Sequence, residues 1–478
     1  MSQDNRFHLN RRAVVAGLAG TAGATLAACG DSSGMAAVLS PSPMPIAPGA
    51  VDAAPQPPAG KTLPKPEDSG IDHIVVVMME NRTFDHMLGW VPGADGIQSG
   101  LKFKNVEGKM VDSFHLPSEA SYGYGGCAWA DPNHGYEGGR VHLNGGAMDG
   151  WLLTGGTKDN PSDKFPAGYF TADDLPFFKG VVEHWTVCDR YFSGILSSTY
   201  PNRFYMHSGE TDRLTNTFDI SSLPTIWDRL AAKGLTGAYY HQDLPLLGLW
   251  GAKYVSTGIV RPYATFLAQA AAGQLPALSY VEPRFLGEGN QVSNDDHPAG
   301  DVRDGQVFLN DVYNALKSSP NWEKTLLIIN YDEWGGFYDH VVPPVGPVSD
   351  AEKALGNDGR LGFRVPCLII GPRAPRQVCK LQFDPQSILN LVTWRFGLDP
   401  VGSRADWSLN MAYALDFTSA ARATVTPTFD VGTGPFGQLC GTPLDGVLPQ
   451  SLATNPAESH FGEWLVLRQI ARRHGYPV

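Results

Sequence analysis

Ile74-Val75-Val76-Val77-Met78-Met79-Glu80-Asn81 is the stretch that decides the fold. Its apolar residues, most of them β-branched, run without a break into an acid and an amide. Alternation would mark a strand wet on one face; an unbroken run marks a strand covered on both, as in a parallel sheet. Runs of the same kind recur at 275–281, 325–331 and 365–370. Helical patterns at 223–233, 263–272 and 305–318 lie between them. This alternation predicts an α/β fold, a mostly parallel sheet sandwiched by helices. Residues 424–456, rich in Gly, Pro and Thr, read as a long ordered loop or a wrap over the core, and 461–470 as a final helix.

The 478 residues are 42% apolar and 18% charged, the balance of a globular protein. The net charge is −12, and Arg6, Arg11 and Arg12 fall in the first 28 residues, so the remainder is more acidic still. That excludes nucleic acid as a main partner and argues against electrostatic attachment to anionic lipid. Residues 1–28 read as an export signal. Arg11-Arg12 before a mildly apolar stretch resembles a twin-arginine leader, and Leu26-Ala27-Ala28-Cys29 resembles a lipoprotein box with Cys29 as the lipidated residue. Residues 29–70, rich in Pro and Ala, read as a tether, and 71–478 as the folded domain. The expected location is therefore outside the cytoplasm, anchored at the cell envelope or released. Setting Cys29 aside, Cys127, Cys188, Cys367, Cys379 and Cys440 permit at most two disulfides.

Ligands of open parallel sheets bind beyond the carboxyl ends of the strands, which is where Glu80 and Asn81 emerge. Leu326-Leu327-Ile328-Ile329-Asn330-Tyr331-Asp332-Glu333-Trp334-Gly335-Gly336 has the same design, a buried strand ending in adjacent acids and then glycines for a tight turn. Adjacent carboxylates repel unless a cation lies between them. Glu80, Asn81, Asp332 and Glu333 are thus candidate oxygen ligands of a divalent metal: Mg²⁺, Mn²⁺, Ca²⁺, Fe or Zn²⁺. In Ser197-Ser198-Thr199-Tyr200-Pro201-Asn202-Arg203, a hydroxyl near a helix start is a candidate nucleophile, although three adjacent hydroxyls leave its identity open. Asn202 and Arg203 are candidates to bind phosphate oxygens. Among the histidines, His134 and His297 sit in loops beside carboxylates, and His340 follows Glu333 closely enough to face the same site.

Taken together, Glu80-Asn81-Arg82-Thr83-Phe84-Asp85, His134-Gly135, Thr199-x-Pro201-Asn202-Arg203, Asp296-His297-Pro298 and the block from Asp332 to His340 resemble the bacterial phosphoesterase family. That family holds type C phospholipases and acid phosphatases and is related to the alkaline phosphatase superfamily. The resemblance implies an alkaline phosphatase-like fold and a metal held by the Glu-Asn and Asp-Glu pairs. It also implies a hydroxyl nucleophile that joins the metal and maps to Thr199, with Ser198 left open. His134 and His297 are then expected to hydrogen-bond the phosphoryl oxygens, or one of them to protonate the leaving alcohol. The implied activity is hydrolysis of phosphate esters, of phospholipase C type on diesters or of acid phosphatase type on monoesters. A surface lipoprotein that only binds a ligand at the metal is the non-enzymatic alternative.

Overall fold

The computed structural model describes residues 50–119, 123–126, 129–154, 163–287, 292–436 and 460–478. The export signal, Cys29, the tether as far as residue 49, Cys127, Cys440 and the wrap beyond residue 436 lie outside the described residues. Strands β1 (His73–Met79), β2 (Thr186–Cys188), β3 (Gly237–His241), β4 (Val260–Pro262), β5 (Leu278–Val281), β6 (Thr325–Tyr331), β7 (Cys367–Ile370) and β8 (Gln377–Cys379) form one sheet. Their order is β8-β2-β7-β6-β1-β5-β3-β4. β1 lies at the centre, parallel to β6 on one side and to β5 on the other. Every residue from Ile74 to Met79 is at most 1% exposed, so both faces of β1 are covered, as its unbroken apolar run requires.

Helices supply that cover. α1 (Phe84–Leu88) follows β1 directly; α2 (Thr199–Ser208), α3 (Ile226–Ala232), α4 (Tyr263–Ala271) and α5 (Val302–Lys317) come later in the chain. Adjacent residues of a strand point to opposite faces. Tyr239 meets His207 of α2 and Trp227 of α3, while its neighbour Tyr240 meets Phe266 of α4. α2 and α3 therefore lie on one face, and α4, with α5 packed on it, on the other.

The sheet is not wholly parallel, because β7 runs against both β6 and β2. The chain leaves β6 at its carboxyl end, makes the long 332–366 excursion there and re-enters at the same end, so β7 must run back. The segment expected to be a free tether is docked from Asp52 onward. Asp52 exchanges hydrogen bonds with Val345 and accepts one from Trp407, and Lys61 donates to Tyr413 O and Leu415 O. Cys188, Cys367 and Cys379 are free and buried on neighbouring strands, with Cys188 in register with Cys379.

Candidate active site

The register of β1 against β6 pairs Met79 with Tyr331, so the residues that follow, Glu80 and Asp332, leave the sheet side by side. Asn81 has φ 63°, a left-handed backbone that Asn tolerates better than most residues. Its N–H donates to Asp332 Oδ1 at 3.1 Å. Thr83, not Asn81, caps α1 by accepting from His86 N, which leaves the Asn81 side chain to the site. Glu333 Oε2 accepts from Gly335 N at 2.6 Å. Gly335 has φ 59°, and a Cβ there would lie 2.0 Å from Asn81 O. The glycine turn expected from sequence is thus also a close approach that brings the two pairs together.

Thr199 opens α2, and its Oγ1 donates to Glu80 Oε1 at 3.3 Å. Ser197 Oγ donates to Leu214 O, and Ser198 stands at the helix N-cap. Of the adjacent hydroxyls, Thr199 is the one seen on a carboxylate of the Glu-Asn and Asp-Glu pairs. Asn202 and Arg203 depart from expectation. Asn202 accepts from Ile195 N and donates to Ser197 O and Ser198 O, so it pins the loop before the helix. Arg203, wholly buried, donates through Nε to Asp332 Oδ2 at 3.0 Å and through Nη1 to both oxygens of Glu282, and its Nη2 lies 3.5 Å from Glu80 Oε2. Burial would lower its pKa, but Glu282, Asp332 and Glu80 raise it well above the usual value. Arg203 is therefore a counter-charge beneath the carboxylates, not a phosphate ligand. Glu282 is absent from the residues expected at the site, although the signal exists: β5 ends at Val281, so it too is an apolar strand running into an acid.

His134 and His297 come together, with ring centroids 6.3 Å apart and rings nearly perpendicular. His134 Nδ1 lies 2.7 Å from Pro132 O, and its Nε2 lies 3.5 Å from Asn81 Nδ2 and 3.6 Å from Glu333 Oε1. His297 Nδ1 lies 2.8 Å from Pro298 O. The carboxylates beside His297 in the sequence do not meet its ring: Asp295 Oδ1 accepts from His297 N, and Asp296 Oδ2 accepts from the Tyr331 hydroxyl. Asp131, seen in the sequence only as a neighbour of His134, has one oxygen 3.8 Å from each histidine. His340 serves a different cluster: Nδ1 is 2.6 Å from Asp85 Oδ2 and Nε2 is 3.1 Å from Asp95 Oδ1, beside the buried pair of Arg364 and Asp339.

The donor set fits a hard divalent cation. Asn81 Oδ1 and Glu333 Oε1 are buried without a hydrogen-bond partner among the described residues. Burial pushes Asp332 up to about 7 despite Arg203, and burial with the adjacent Asp332 raises Glu333 well above the carboxylate range. One guanidinium does not balance Glu80, Glu282, Asp332 and Glu333. Glu80, Asn81, Thr199, Asp332 and Glu333 could hold an ion between them. Asp131, His134 and His297, whose ligand atoms lie within 4.8 Å of one another, are a second group with metal-binding chemistry.

All of these residues fall within 71–399, the stretch matched by the model of the Phosphoesterase family, and the chain belongs to that family. It is similar to non-specific phospholipase C3 of Arabidopsis thaliana, 32% identical over an alignment of 347 residues that covers 64% of this chain and 64% of that one. It is also similar to phospholipase C A of Mycobacterium tuberculosis, 31% identical over 80% of this chain and 81% of that one. The chain spans only 61–64% of the length of the plant relatives it matches. A solved structure of a protein in the alkaline phosphatase superfamily from Vibrio parahaemolyticus matches 73% of this chain and 70% of its own, at 11% identity and a TM-score of 0.33. At that score the architecture rests on the sheet itself.

Proposed function

We propose that this chain is a metal-dependent phosphoric ester hydrolase that cleaves phosphodiesters in the manner of a phospholipase C, with Thr199 as nucleophile. The observation that carries the reading is the meeting of Thr199 Oγ1 with Glu80 at the ends of two parallel strands, beside Asn81, Asp332 and Glu333. The phospholipase C names of the plant and mycobacterial relatives support the substrate class. A divalent cation bound by these residues would lower the pKa of the Thr199 hydroxyl and draw charge from the phosphate. Thr199 lies at the N-terminus of α2, whose dipole favours a developing alkoxide. Its Oγ1, with the hydroxyl proton released to solvent, bonds to phosphorus as the bond from phosphorus to the leaving alcohol oxygen breaks, and protonated His297 gives that oxygen a proton. Water then gives a proton back to His297 as its oxygen attacks the phosphothreonine, and the departing Thr199 oxygen takes a proton from solvent. Arg203 offsets the charge of Glu80 and Asp332 and holds both in place. Export and lipidation at Cys29 belong to the same proposal and rest on the sequence alone.

The test is nitrophenol release from p-nitrophenylphosphorylcholine and from p-nitrophenyl phosphate, each with and without chelator. The diester should be turned over faster, chelator should stop it, and added divalent metal should restore it. Turnover of the monoester alone would make the chain a phosphatase. Stoichiometric metal with no turnover of either would leave only ligand binding.

A further inference from the structure

Asp296 is a buried non-glycine residue with φ 76°, immediately before His297. Left-handed backbone at such a position persists only where the surroundings hold it. Here they hold it at both ends of the residue. Its carbonyl oxygen accepts from Arg82 Nε at 2.7 Å, and its Oδ2 accepts from the Tyr331 hydroxyl. α5 passes at Gly305, where a Cβ would fall 1.9 Å from Asp296 Oδ1, so the helix leaves room for this carboxyl only by lacking a side chain.

The two grips are themselves fixed. Arg82, 1% exposed, lies over the Phe337 ring at 4.7 Å and points Nη1 at His86 Nε2, 3.0 Å away. His86 Nδ1 lies 2.8 Å from Gly168 O, which makes Nε2 the acceptor for Arg82. Tyr331 is the last residue of β6. In sequence, Arg82 directly follows Asn81 and Tyr331 directly precedes Asp332. Each half of the metal-binding constellation therefore has a neighbour that holds Asp296, and Asp295 O accepts from Glu80 N at 2.9 Å.

We propose that Arg82, Asp296 and Tyr331 form a positioning device that registers His297 against the Glu80-Asn81 and Asp332-Glu333 pairs. Asp296 touches no reacting atom; it acts through the backbone that carries His297. The inference rests on the hydrolase reading for its kinetic test and on geometry alone for its spectroscopic one.

Tyr331→Phe removes one hydroxyl and keeps the ring. It should lower kcat for p-nitrophenylphosphorylcholine roughly 10- to 100-fold, the scale of a misplaced group, while KM and bound metal stay near wild type. Asp296→Ala should lose at least as much. Asp296→Asn should retain most of the rate, because Asn accepts left-handed backbone and its amide oxygen can take the Tyr331 hydrogen bond. The deciding variant is Tyr331→Phe made in a His297→Ala background, where it should cost nothing further. An equal loss in both backgrounds, or wild-type kcat in Tyr331→Phe, overturns the proposal. The ring ¹⁵N resonances of His297, assigned by their absence in His297→Ala, should shift in Tyr331→Phe. Unmoved resonances overturn it even where wild-type protein hydrolyses neither ester, a result that would fall on the hydrolase reading instead.

Discussion

Thr199 and Arg203 stand four residues apart on α2, one turn of helix, and so share a face. Thr199 reaches one oxygen of Glu80 and Arg203 lies near the other. Removing them should therefore fail in different ways. Thr199→Ala should lose turnover by several powers of ten yet keep its metal, and Thr199→Ser should keep substantial activity. Mass spectrometry of acid-quenched enzyme should find phosphate on the Thr199 peptide; phosphate on Ser198 would move the nucleophile. Arg203→Ala should instead cost about 3–5 kcal/mol of stability by leaving Glu282 and Asp332 buried without their partner. Denaturant unfolding checks it, and a raised KM at unchanged stability would restore Arg203 to the phosphate. The meeting of the Glu-Asn and Asp-Glu pairs is legible in the sequence because each is an apolar strand that runs into polar residues at the same end of the sheet. The residues themselves leave Ser197, Ser198 and Thr199 open as the nucleophile, and Thr199 is singled out only by the resemblance to the phosphoesterase family. The roles of Asn202, Arg203 and His340 are not legible, because closeness in sequence to a site residue does not say which way a side chain points.

Among the elements, β1 and β6 and the turn behind β6 hold the site, and their tolerance is narrow. Gly335→Ala would place a methyl 2.0 Å from Asn81 O at φ 59°, so it should separate the Glu-Asn pair from the Asp-Glu pair. Loss of both metal and activity, read by metal analysis beside turnover, is the expected outcome; full metal content would show that the turn can yield. β1, β5, β6 and β7 can be read in the sequence because each is a run of buried apolar residues. β2, β4 and β8, three residues each, are too short to show a pattern, and β3 reads Gly-Ala-Tyr-Tyr-His with no β-branched residue. The direction of β7 is hidden because burial on both faces is the same for a strand running either way. The helix Pro385–Phe396 lies outside the expected helices despite a clear start, Asp384 capping Ser387 N with Pro385 at the first position.

For the whole molecule, buried acids tie stability to pH and to metal. Burial pushes Asp332 up to about 7 in the folded chain from an ordinary 3.8, and burial raises Glu333 in the same direction. A raised acid favours folding most below its unfolded pKa, and that contribution is lost as pH rises through the folded value. Metal-free protein should therefore lose stability between about pH 4 and 7. A bound cation replaces the departing protons, so the gain in Tm on adding metal should be larger at pH 8 than at pH 5. A gain independent of pH would mean that these carboxylates do not meet the ion. At the same scale, Cys29→Ala should release the protein from membranes while hydrolysis persists, checked by fractionation and labelled fatty acid. Docking of the segment from Asp52 onward shows why composition alone sets the tether's end too late: main-chain and Lys61 hydrogen bonds need no apolar pattern.

Cys188, Cys367 and Cys379 give the sheet a clock. All three thiols are at most 5% exposed, on β2, β7 and β8 at one side of the sheet. An alkylating reagent cannot reach them while those strands are paired, so their modification keeps time with strand opening. With excess reagent, the labelling rate at these three cysteines, read peptide by peptide, becomes the rate at which this margin comes apart, and its slowing on addition of metal would measure how far the site braces strands that it does not touch.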